Sequence, residues 1–198
     1  NEAGMGSAPN AAATADVTHP AKQGLVQMLS VFLDTILICT CTAFMCLSSN
    51  APFENFSGKE AAYVQSSISS SLGSFGPSFI AVALTLFAFT TLIGNYAYCE
   101  GCLKFIFRKQ IGKTGMLAFR IAATVLVFVG ALSSASMVWG FAELAQALMV
   151  LVNMPSILYL SKYSVRCLND YCKQRKEGKD PVFKAMDVGI NEKLDFWN

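Results

Sequence analysis

GPSFIAVALTLFAFTTLIGNYAY, residues Gly76 to Tyr98, carries no charge, and no charged residue occurs anywhere from Ala61 to Cys99. A helix of this length in water needs a polar face, and none recurs here at helical spacing. Working outward, Ile121 to Ser161 holds a single charge, Glu143. Of the 198 residues, 54% are apolar and 14% charged, against about a quarter charged in soluble domains. Lipid is therefore the expected solvent for most of the chain.

Crossing a hydrocarbon core about 30 Å thick takes roughly 20 helical residues. Four windows meet that length: 24–48, 76–98, 115–137 and 139–161, with a turn expected at Val138. Helices are required, because isolated strands would leave backbone groups unpaired in lipid and no window alternates polar with apolar. The fold class expected is an all-α integral membrane protein with about four spans, residues 1–198 forming one membrane domain.

The linkers orient the spans. Lys104, Arg108, Lys109 and Lys113 separate the second from the third, and Arg120 can snorkel outward from inside the third. Lys162, Arg166, Lys173, Arg175, Lys176 and Lys179 follow the fourth, whereas the linker 49–75 holds only Lys59. The positive-inside rule then makes 49–75 an outer loop and the tail 162–198 cytoplasmic, with residues 1–23 on the same side. Asn1 to Thr18 has neither the basic start nor the apolar run of a secretory signal. With no initiator methionine, the chain is expected to be the C-terminal part of a longer protein.

Several motifs resemble sites and read more simply. Gly112-Lys113-Thr114 matches the end of a phosphate-binding loop, yet Phe107 stands where its first glycine is needed. Cys99 and Cys102 form a CxxC without a second pair at zinc spacing, and seven cysteines argue against a disulfide framework. Cys39, Cys41 and Cys46 sit inside the first span, where cysteine behaves as a small apolar residue. Asn55-Phe56-Ser57 is a sequon, relevant in a eukaryotic source. His19, before Pro20, is placed in a linker without a ligand partner. No acid/base pair or activated nucleophile emerges, so no enzyme, cofactor, transition metal or nucleic-acid partner is expected.

Polar residues inside the spans carry more. Asp34 lies ten residues into the first window, about 15 Å along a helix, near mid-membrane. An ionisable group there is a functional candidate, and equally a structural hydrogen-bonding group with Thr35, Thr40 and Thr42 for company. In the second span Thr91 and Asn95 share a face at i, i+4, next to Thr90. Their oxygens suit a small cation or an ammonium, while interhelical hydrogen bonding is the simpler reading. Asn153-Met154-Pro155 predicts a kink in the fourth span.

NEAGMGSAPNAAATA at the start, HPAKQGLVQMLSVFLDTILICTCTA after it, LFAFTTLIGNYAYCE in the second span and GKDPVF in the tail together resemble the alanine or glycine:cation symporters, the sodium/alanine symporter family. The resemblance covers nearly the whole chain. It implies the C-terminal half of a broken-helix, inverted-repeat (LeuT-like) transporter, multi-pass in a bacterial plasma membrane. Alanine would be carried with sodium, glycine being a second substrate, and the N-terminal helices of the same protein would complete the site. Thr90, Thr91 and Asn95 would then face sodium or substrate. Glu2, Gly4, Met5, Gly6, Ser7 and Pro9 would form the cytoplasmic end of the broken helix and the inner gate, where glycines relax the backbone and proline stops the helix. A non-transporting scaffold or regulatory subunit is the alternative, and a glycine- and proline-interrupted first motif argues against it.

Overall fold

The computed structural model describes residues 2–56, 60–107, 111–191 and 194, and all regular structure among them is helical. Four helices are long and apolar enough to cross a membrane: Pro20–Leu47, Phe75–Phe107, Lys113–Leu132 and Ala135–Lys176. The four expected spans are all present. Their large side chains point outward, as with Leu126 at 71% exposed and Val152 at 73%. Apolar surface on this scale suits a lipid surround.

The boundaries differ from the hydropathy windows for identifiable reasons. The first helix starts at Pro20 rather than 24, since proline's fixed φ and missing N–H suit a first helical position. The second runs on past Tyr98 to Phe107, supported by a Lys104–Glu100 pair one turn apart at 2.6 Å. The turn expected at Val138 is corrected to Ser133–Ser134, where Ser133 is extended at ψ 160° and Val138 is helical. Hydropathy misses this break because Ala131, Ser133, Ser134, Ala135 and Ser136 are all small and nearly neutral. The fourth helix continues from Ser161 to Lys176, through Pro155 without interruption, so the first part of the expected tail is helical. Lys162 lies over the rings of Tyr159 and Tyr163 at 5.0 and 4.9 Å, a cation–π arrangement suited to a membrane–water boundary.

The contacts divide the chain into two compact units, Leu33–Ala142 and Asn1–Phe32 with Glu143–Asn198. In the unit Leu33–Ala142, the segment 49–75 holds a short 3-10 turn, Phe53–Phe56, and the helix Glu60–Leu72. Gly73, at φ +59°, reverses the chain into the second long helix. Gly76 then passes so close that a Cβ would lie 2.8 Å from the Ser69 Cα and 2.9 Å from its nitrogen. Only glycine fits there. Ser67 and Ile68 are buried in this hairpin, and the Phe53 and Phe56 rings pack on Tyr63. Between the second and third long helices, Arg120 Nε donates to the Tyr96 hydroxyl at 3.1 Å.

In the unit Asn1–Phe32 with Glu143–Asn198, the buried apolar side chains belong to the tail. Phe183, Ala185 and Val188 form a small cluster with Cys167, Ile190 and Leu194 packed against it.

Candidate functional site

The opening motif forms a turn. Met5 N–H donates to the Glu2 carbonyl at 3.0 Å, and Gly4 and Gly6 adopt φ +84° and +109°. Side-chain-bearing residues avoid that region, which explains glycine at both positions. Ser7 is buried and precedes the five-residue helix Ala8–Ala12, which begins with Pro9 in its first turn. Two asparagine amides serve the glycine carbonyls. Asn10 Nδ2 donates to the Gly6 oxygen at 3.2 Å, and Asn153 Nδ2, from the fourth long helix, donates to the Gly4 oxygen at 2.8 Å. Met154 Sδ lies 3.9 Å from where a Gly4 Cβ would stand. Gly4 and Gly6, two of the residues read as an inner gate, thus meet Asn153 and Met154, which the sequence presents as part of a separate kink. Nothing in the sequence links positions 149 apart.

Thr90, Thr91 and Asn95 lie together on the second long helix and are exposed. The Thr90 hydroxyl proton is shared between the Leu86 and Phe87 carbonyls, each at 3.0 Å. A hydroxyl that donates to its own helix keeps its lone pairs for a cation or another donor. Asp34 stands in a seven-residue π-helical segment, Leu33–Cys39, that interrupts the first long helix. Such wide turns occur often at functional sites, and hydropathy cannot reveal them. Cys99 and Cys102 are exposed on the second long helix, Gly112 precedes the third, and Ser57 of the sequon lies outside the described residues.

His19 lies, as expected, in the linker just before Pro20, but that linker is not open to solvent there: the ring is fully buried. The Ala21 N–H donates to Nδ1 at 3.1 Å, so the ring proton resides on Nε2, which donates to Asp170 Oδ2 at 3.2 Å. Tyr171 and Phe183 meet the ring edge-on, both at 5.3 Å. The GKDPVF segment closes over this core. Phe183 N–H donates to the Thr18 carbonyl at 2.9 Å, the Thr18 hydroxyl donates to the Pro181 carbonyl at 2.9 Å, and Lys22 bridges to Asp180 at 2.8 Å. Gln174 pairs with both backbone groups of Val182 at 3.0 Å and donates to Asp170 at 2.7 Å. Beyond it, Arg166 donates to the Val188 carbonyl at 3.3 Å. The Lys22 ammonium, by its hydrogen bond and then its charge, holds the Asp180 carboxyl below its ordinary value. A groove of about 450 Å³ beside this clasp is lined by two basic residues, Arg166 and Lys173, and two acidic ones, Asp170 and Asp187. Its balanced charge selects neither anion nor cation.

Residues 1–185 match the family model described as the sodium:alanine symporter family. The amino-acid carrier protein AlsT of Bacillus subtilis is 45% identical over 100% of this chain and 41% of its own length. The probable sodium/glutamine symporter GlnT of the same organism is also 45% identical, over 100% of this chain and 40% of its own. The sodium/alanine symporter AgcS of Methanococcus maripaludis is 35% identical over 81% of this chain and 35% of its own. The chain therefore spans about two fifths of the length of the curated relatives it matches. No solved structure matches it. With a family model covering residues 1–185 and four helices long and apolar enough to cross a membrane, the chain belongs to the sodium:alanine symporter family.

Proposed function

We propose that the whole protein carries alanine into the cell together with sodium, with glycine as a further substrate, and that this chain supplies one repeat of a broken-helix, inverted-repeat carrier. The observation that carries the reading is the family match over residues 1–185. The left-handed glycine turn supports it, because unwound backbone within a membrane protein is tolerated where it is buried in protein or lines a cavity, and transporters of the inverted-repeat kind bind their ions at such breaks. In this scheme the spans lie in a bacterial plasma membrane with the tail 162–198 cytoplasmic, and the protein's N-terminal helices complete the site.

Thr90, Thr91 and Asn95 supply oxygens for sodium or substrate. The π-helical setting of Asp34 favours a functional role for that carboxyl. Glu2, Gly4, Met5, Gly6, Ser7 and Pro9 form the inner gate. Each sodium charge moving down the membrane potential supplies about 2.3 kcal/mol per 100 mV. Coupling follows if sodium favours the conformation that accepts the amino acid, since a ligand shifts an equilibrium only by its differential affinity. No covalent chemistry is needed.

The test is uptake of labelled alanine by the whole protein in proteoliposomes, with and without an inward sodium gradient. Uptake should depend on the gradient; equal uptake under both conditions overturns the reading. The relative named as a probable sodium/glutamine symporter is 45% identical to this chain, against 35% for the sodium/alanine symporter AgcS. Glutamine is the second reading, and competition by excess unlabelled glutamine against alanine decides between them.

A further inference from the structure

The Glu2–Ser7 turn is held from far along the chain. Asn153 lies in the fourth apolar window, on the long helix Ala135–Lys176. A backbone carbonyl outside a helix and shielded from water needs a donor. The Gly4 carbonyl receives one from Asn153 Nδ2 at 2.8 Å. The same side chain also lies alongside Gly6, where an added Cβ would stand 3.5 Å from both Asn153 Cβ and Cγ. Asn153 therefore holds Gly4 by a hydrogen bond and borders Gly6. It does so from the turn of helix before Pro155, where proline removes the donor that the Leu151 carbonyl would otherwise receive.

We propose that Asn153 is a positioning residue that clamps the glycine turn through the Gly4 carbonyl and thereby sets the balance between conformations of the inner gate. This rests on the transport reading above. A clamp of this kind touches no ligand. Breaking it changes the fraction of molecules in the binding-competent conformation, and every ligand that selects that conformation then loses apparent affinity by one common factor.

The experiment uses the whole protein in nanodiscs and proteoliposomes, as wild type, Asn153→Asp, Asn153→Leu and Asn153→Gln. Asp and Leu remove the donated hydrogen, and Gln retains an amide. First, hydrogen exchange is followed in the peptide spanning residues 2–12. Asp and Leu should accelerate it about tenfold, the typical effect of one lost hydrogen bond, and Gln should recover part of the protection, while the tail peptide 181–190 stays unchanged. Second, the half-saturating sodium and alanine concentrations are measured. Both should move by the same factor in Asp and Leu, with Gln between them and wild type. Unchanged exchange in residues 2–12 overturns the clamp. A fall in maximal rate with both constants unchanged reduces Asn153 to a folding residue, and a shift in one constant alone makes it a ligand contact; either result overturns the proposal. Gradient-independent uptake by wild type defeats the transport reading, and the exchange data still decide whether the clamp exists.

Discussion

Replacing His19 with alanine tests the clasp between the start of the first long helix and the tail. The substitution removes a hydrogen bond to the Asp170 carboxylate, of a kind that contributes ~1.5–3 kcal/mol, and one from the Ala21 N–H, about 1 kcal/mol. It also removes edge-on ring contacts with Tyr171 and Phe183, each ~0.5–1.5 kcal/mol. Relaxation recovers some of this, since the Asp170 side chain is 19% exposed to water and keeps its bond from Gln174. A loss of about 3 kcal/mol is expected, roughly 150-fold in the local opening equilibrium. The assay is hydrogen exchange in the peptide 181–190 of the whole protein, where Phe183, Ala185 and Val188 pack. Asp170→Asn retains an acceptor for the ring and should cost less than about tenfold. If His19→Ala accelerates exchange by under tenfold, or if the two variants behave alike, the ring does not hold the clasp and the reasoning fails.

Gly6→Ala forces a side chain into φ +109° and should destabilise the turn by about 1–3 kcal/mol. Gly24→Ala, which meets open space within a helix, should be neutral or stabilising; comparable melting temperatures for the two variants would refute the strain assigned to Gly6. Thr91→Val removes an oxygen next to Thr90 and should raise the sodium concentration for half-maximal uptake; an unchanged sodium dependence moves Thr91 to a structural role. Lys22 holds the Asp180 carboxyl below the ordinary aspartate value of 3.8. The contribution of that pair is complete above this value and disappears as pH falls through the lowered one. Exchange protection at residues 179–183, corrected for intrinsic rates, should be level from about pH 8 to 5, then decline below about pH 4, and weaken with salt because Asp180 is exposed. A loss beginning near neutral pH would exclude Asp180 as its source.

The spans were legible because lipid imposes its requirement on each segment separately. A charge-free apolar window such as Gly76 to Tyr98 must be a membrane helix whatever its neighbours do. The helix ends were less legible, since Ser133–Ser134 breaks the chain without changing hydropathy, and the second long helix outruns its apolar window once Glu100 and Lys104 can pair along it. Thr90, Thr91 and Asn95 were grouped from spacing alone, and the structure keeps them on one helix. The burial of His19 was not legible because its partners, Asp170 and Phe183, are distant in sequence.

By itself the sequence determined that the chain is helical and suited to a membrane, and where the four long apolar helices among the described residues lie. These are local consequences of hydropathy and backbone sterics. Only the tertiary structure decided that Asn153 serves the Gly4 carbonyl, that His19 is the buried centre of a clasp with GKDPVF, and that the first long helix widens into a π-helical segment at Asp34. The physical reason is common to the first two. A hydrogen bond between residues 149 or 151 positions apart depends on where the backbone carries each group, and no periodicity in either segment encodes that meeting.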